Sequence, residues 1–157
     1  MTEAARIADQ IRRAAHGDAW HGPALGEALD GVSAADAAVH PIANAHSIWE
    51  LVGHIQTWTR TAQRRFEGDH AEPTEAENFP AVRSLDPAAW AAACASVLAA
   101  HDALAQAVVR NPARSLDEMV HGHPYSAYVM LHGAVQHTLY HAGQIAMLKR
   151  ALASRAT

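Results

Sequence analysis

Met130-Leu131-His132-Gly133-Ala134-Val135-Gln136-His137-Thr138-Leu139-Tyr140-His141-Ala142-Gly143-Gln144-Ile145 reads as one amphipathic helix. At 100° per residue, Met130, Ala134, His137, His141, Ile145 and Leu148 share a face, with Gly133 and Gln144 flanking it. Two imidazoles one turn apart therefore point towards a core. An earlier segment, Ser47-Ile48-Trp49-Glu50-Leu51-Val52-Gly53-His54, places a third imidazole on a face shared with Leu51, Trp58 and Ala62. Two such helices packed together bring three imidazoles to one divalent ion and leave its fourth position open. Twelve histidines in 157 residues supply roughly one i,i+4 pair by chance. The shared apolar face, not the spacing, thus carries the argument: a buried polar ring needs a partner, and one metal ion satisfies three.

Outward from these segments the chain reads as helices. The first is expected from Thr2 to about His16, with Ala4, Ile7, Ala8, Ile11 and Ala15 inside and Gly17-Asp18 ending it. Residues 20–44 read as an irregular connection with short helical turns, one started by Pro23 and one capped by Ser33 with Asp36. Ser47-x-x-Glu50 is a capping box that opens the second long helix, which runs to about Glu67 before Gly68. Residues 68–85 hold Pro73, Pro80 and four acidic side chains and read as an exposed loop. Asp86-Pro87 then starts a third helix with Trp90, Cys94, Val97, His101, Leu104 and Val108 on one stripe. After a loop over 111–123, the fourth runs from Pro124 to about Leu152. No segment reads as a strand. The expectation is an all-α, single-domain four-helix bundle over 1–157, its interior lined by ligands from facing helices.

Composition narrows the function. A net charge of −4 leaves no basic footprint for nucleic acid and no pull towards an anionic membrane. No apolar run of transmembrane length is expected, and Met1-Thr2-Glu3 does not open a signal peptide, so a cytoplasmic location follows. A single cysteine, Cys94, excludes an internal disulfide and, on a core stripe, reads as a packed thiol.

His46-Ser47-Ile48-Trp49-Glu50-Leu51-Val52-Gly53-His54-Ile55 and His137-Thr138-Leu139-Tyr140-His141-Ala142-Gly143-Gln144-Ile145 together resemble the DinB-like (YfiT-like) superfamily of small metal-binding four-helix bundles. Pro124-Tyr125-Ser126, Met130-Leu131-His132-Gly133 and Trp20-His21-Gly22-Pro23 fit the same style. The resemblance implies that His54, His137 and His141 bind nickel, zinc or a similar divalent ion. It also implies an up-down-down-up bundle and frequent homodimers. Characterised relatives include transferases that use a low-molecular-weight thiol such as bacillithiol, and mycothiol-dependent isomerases. Other members are described as metal-dependent hydrolases.

Around the triad, Glu50 lies one turn before His54 and about 40° away on the wheel, so it is a candidate proton acceptor as well as a capping residue. Tyr140 and Gln144 flank the histidine pair and are candidates for contacting a bound small molecule. His101 on the third helix is a hydrogen-bonded core residue or a further ligand, His46 a cap or pocket rim, and His121 with His123 a possible cleft mouth. A second apolar strip on the last helix, Tyr128, Leu131, Val135, Leu139 and Ala142, faces a neighbouring helix or a second subunit. Three functions stay open: thiol transfer at a metal, ranked first; hydrolysis by a metal-activated water with Glu50 assisting; and a non-catalytic metal- or small-molecule-binding module.

Overall fold

The computed structural model describes residues 1–70 and 72–155. Among them are four long helices, α1 (Glu3–His16), α4 (Ile48–Phe66), α6 (Pro87–Arg110) and α7 (Ala127–Arg155). Three short ones, α2 (Leu25–Leu29), α3 (Ala34–Ala38) and α5 (Glu75–Asn78), lie in the connections. The described residues hold no strand, only an isolated bridge between Met119 and Ser126. The expected helix starts carry their expected caps: Thr2 accepts from the Ala5 amide, Ser47 from Glu50, and Asp86 from Ala88. Gly17, at φ +154°, and Asp18, at φ +58°, turn the chain out of α1.

The long helices form a ring in which α1 and α4 each pack on both α6 and α7. Their apolar faces build two cores. One joins Ile48, Val52 and Ile55 of α4 with Trp90 and Val97 of α6 and Ile145 and Leu148 of α7, roofed by α2 and α3. The other joins Ile7 and Ile11 of α1 with Phe66, Leu104, Val108 and Leu131. Between them sits a buried polar knot. The His101 Nδ1–H donates to the Val97 carbonyl at 2.8 Å, which leaves Nε2 as an acceptor. The Thr138 hydroxyl lies 2.9 Å from that nitrogen and equally 2.9 Å from the Ala134 carbonyl, so its one proton has two acceptors in reach, while the Thr59 hydroxyl, 3.5 Å from the nitrogen, donates to the Ile55 carbonyl at 2.8 Å. His101 is therefore a satisfied core residue that ties α6 to α7 and α4.

Two expectations need correction. Residues 68–85 are not all loop: Thr74 and Glu77 form a capping box that starts the single turn of α5. α6 does meet the length and composition of a membrane span, with a mean hydropathy of 1.5, because alanine scores as apolar while burying little area. In the fold it packs on α1 and α4 and contributes Trp90, Val97, Leu104 and Val108 to the cores. The second apolar strip of α7 is largely consumed inside the chain: Leu131 and Ala142 are buried, Val135 and Leu139 half-buried, and Tyr128 remains outside.

The knot makes a stability prediction. Thr138→Val keeps the shape of the side chain but removes the hydroxyl that lies closest to His101 Nε2. Urea unfolding should show a loss of about 1–3 kcal/mol, whereas a surface Thr138 would have tolerated the change within experimental error.

Candidate metal centre

α4 and α7 place three imidazoles edge to edge. His54 Nε2 lies 3.0 Å from His137 Nε2, which lies 3.1 Å from His141 Nε2. One ligand atom from each ring fits within a 4.8 Å span. Metal–nitrogen bonds of 2.0–2.1 Å at tetrahedral angles would hold the nitrogens about 3.3 Å apart, so the two spacings to His137 already match and the His54–His141 pair, within 4.8 Å, is the one that would adjust around an ion.

The far sides of two rings are fixed. The His54 Nδ1–H donates to the Asn78 carbonyl at 2.8 Å, and the His141 Nδ1–H to Gln144 Oε1 at 2.6 Å. Each neutral ring then carries its lone pair on Nε2, directed at His137. A proton on His137 Nε2 can satisfy one of these lone pairs; a cation satisfies all three nitrogens. The donor set thus fits a divalent ion that accepts imidazole, and nickel and zinc both do.

Electrostatics keep the rings neutral. Burial, reinforced by the neighbouring His141 and His54, pushes His137 down to about 4. Burial also lowers His54 and His141, against the opposing pull of the Asn78 and Gln144 acceptors.

The loop before α6 contributes more than sequence reading suggested. Phe79 stacks on His54 at 4.1 Å between centroids and on His46 at 3.7 Å, nearly parallel to both, and so lies sandwiched between them. Asn78 Oδ1 accepts from Trp58 Nε1 at 2.7 Å, and Thr57 Oγ1 donates to the Glu77 carbonyl. Thr74-x-x-Glu77, a capping pattern ahead of an aromatic, was the available signal for this latch.

The candidate catalytic residues separate. Gln144 holds His141 and donates from Nε2 to the Tyr140 hydroxyl at 3.3 Å, so both stand beside the triad, with Tyr140 largely exposed. Glu50 is engaged elsewhere. Its Oε2 accepts from the Ser47 amide at 2.8 Å and contacts His40 at 3.0 Å and His46 at 3.3 Å. Burial works upward on this carboxyl, but Ser47, His40 and His46 outweigh it and hold it below its ordinary range.

Two clefts flank the triad. One, of about 450 Å³, is lined by His141, Tyr140, Gln144, His46 and Leu51, which puts His46 at its wall. The other, of about 310 Å³, runs from His137 past Trp58, Ala62, Met130 and Ala134 to Arg65 and Tyr125. Arg65 continues the α4 stripe of His54, Trp58 and Ala62, and a charge on an apolar stripe was its signal in the sequence. His123 contacts Glu72 at 3.1 Å and stacks on Tyr125, near this cleft's far end, while His121 packs on His70.

The depressed imidazoles imply a pH dependence for the metal-free protein. The unfolded chain takes up protons near 6.5, whereas His137 resists until about 4. Between those values the unfolded state binds more protons, so stability falls as pH falls through the window. Thermal melts of chelator-treated protein should show that decline, and a His137→Gln variant should flatten it; identical slopes would remove the triad as its source.

The family model for the DinB superfamily matches residues 19–145. No curated protein and no solved structure gives a significant match. The matched stretch contains His54, His137 and His141 together with the Asn78 and Gln144 partners that orient them. The chain belongs to the DinB superfamily.

Proposed function

We propose that the protein is a metal-dependent transferase that joins a low-molecular-weight thiol to an electrophilic small molecule, with His54, His137 and His141 holding one nickel or zinc ion. The observation that carries this reading is the convergence of three Nε2 atoms beside clefts on either side. A purely structural site would be closed by a fourth protein ligand; among the described residues the group comprises three.

When bound, the ion would supply the positive charge that lets a small thiol lose its proton near neutral pH. The chain's own residues hold and orient. Asn78 and Gln144 keep the ligand nitrogens unprotonated, and Phe79 fixes the plane of the His54 ring. Tyr140, through Gln144, presents a hydroxyl at the His141 cleft, suited to orienting a bound polar group. The lone cysteine does not compete as nucleophile: burial pushes the Cys94 thiol up to about 11. Hydrolysis fares less well on this geometry, because its expected base, Glu50, is tied to Ser47, His40 and His46.

An up-down-down-up order belongs to the same reading. It is supported by the first core, which draws on the starts of α4 and α6 and the second half of α7. A homodimer, a cytoplasmic setting and the absence of nucleic-acid or membrane partners complete it, the last in keeping with the net charge of −4.

Elemental analysis of untagged, dialysed protein should give close to one nickel or zinc per chain. Calorimetry with bacillithiol and with mycothiol should then detect binding to the loaded protein and none to His54→Ala. Protein that takes up neither metal when both are supplied would remove the reading at its root. Thiol binding that survives His54→Ala would remove the transferase part alone.

A further inference from the structure

We infer that the cleft between α4 and α7 takes an elongated small molecule with an apolar body and a terminal carboxylate, the carboxylate seated at Arg65 and the other end brought to His137. As an account of the substrate class, this deepens the transferase reading and rests on it. The binding site itself can be tested without it.

The two ends of the cleft differ in chemistry. At one end stands His137. The far end holds Arg65, 6% exposed, on the same stripe of α4 eleven residues beyond His54. That separation is about 16 Å along a helix at 1.5 Å per residue, shortened because helical side chains lean back towards the N-terminus. Between the ends the wall is apolar: Trp58, Ala62, Met130 and Ala134. A molecule filling this space meets a mostly apolar wall, and at about 310 Å³ the cleft sits at the small end of ligand pockets.

Arg65 supplies the reason for an anion. Its guanidinium lies 5.7 Å from the centroid of the Trp58 ring. One terminal nitrogen donates to the Tyr125 hydroxyl at 2.9 Å and the other to Glu72 at 2.5 Å. Its Nε–H is buried and has no partner among the described residues. A buried donor on a cation is costly to leave unmet, and a carboxylate is the acceptor that a guanidinium edge fits. Glu72 is a weak competitor: it is 59% exposed and shares its charge with His123. One cation already facing one carboxylate suits a monoanion better than a phosphate dianion.

Octanoate is the probe, with octanol as its uncharged match, titrated into metal-free and nickel-loaded protein by calorimetry. Metal-free protein removes the ion as a rival carboxylate site. Octanoate should bind at least tenfold more tightly than octanol, and Arg65→Gln should erase that difference. Glu72→Gln, at an exposed position, should tighten octanoate several-fold by removing the competing carboxylate. Gly133→Leu tests location without endangering the fold. Gly133 lines the cleft and an added Cβ meets nothing within 4 Å, while leucine favours helix over glycine. That variant should lose octanoate binding with an unchanged or raised melting temperature. Equal binding of acid and alcohol, or octanoate binding untouched by both Arg65→Gln and Gly133→Leu, overturns the inference. Octanoate binding by protein that takes up no metal would sink the transferase reading and leave this site standing. Metal and thiol binding without acid–alcohol discrimination would do the reverse.

Discussion

Three imidazole nitrogens within 4.8 Å of one another, with His137 about 3 Å from each of the other two, are a constraint before they are a function. Each ring must stay neutral, each must turn the same nitrogen inward, and two helices must hold their separation closely. His137 and His141 meet the last requirement within one turn of α7. His54 meets it only through the packing of α4 on α7, and the bundle is organised around that contact. α6 packs on α4, and its His101 reaches both Thr138 and Thr59. Thr138 is the neighbour of His137 in the chain. The polar knot is therefore a spacer: it joins three helices beside the centre, and a buried hydrogen-bonded network resists sliding better than apolar contact alone.

The two orienting hydrogen bonds reach the centre by different routes. His141 is aimed from its own helix, by Gln144 three residues on, so its geometry forms as soon as α7 does. His54 is aimed from the loop before α6, by the Asn78 carbonyl, and its ring plane is set by Phe79. That second route depends on α5 docking over α4 through Thr57 and Trp58. One candidate ligand is thus fixed by secondary structure and another by tertiary structure.

Much of this was legible in the chain. The capping residues Thr2, Ser47 and Asp86 and the apolar periods mark the long helices because both signals are local. The convergence of the three histidines was legible because His54, His137 and His141 share faces with core residues. Asn78 was not, since it acts through its backbone carbonyl, and any residue could stand there. Phe79 was hidden by the prolines and acids around it, which read as loop. Glu50 shows the opposite failure: the wheel placed it near His54, but a capping box points the carboxylate back at Ser47, and wheel angles carry no information about a side chain's direction along the axis.

The charge distribution gives the centre a polarity that the ligands alone do not. The triad end is kept neutral by burial and by mutual repulsion among the imidazoles. The carboxylate of Glu50, the nearest acid along α4, is tied to the Ser47 amide, His40 and His46. Eleven residues along the same helix, Arg65 is buried against Trp58 with a donor unmet. An ion at the triad would add positive charge at one end of a cleft whose other end holds a guanidinium paired with Glu72, with hydrocarbon between. Such a cleft favours molecules with electron-rich groups at both ends, and the apolar wall fixes their spacing. Selectivity would then lie in the distance between two charges set by a single rigid helix, α4, rather than in the identity of any one contact.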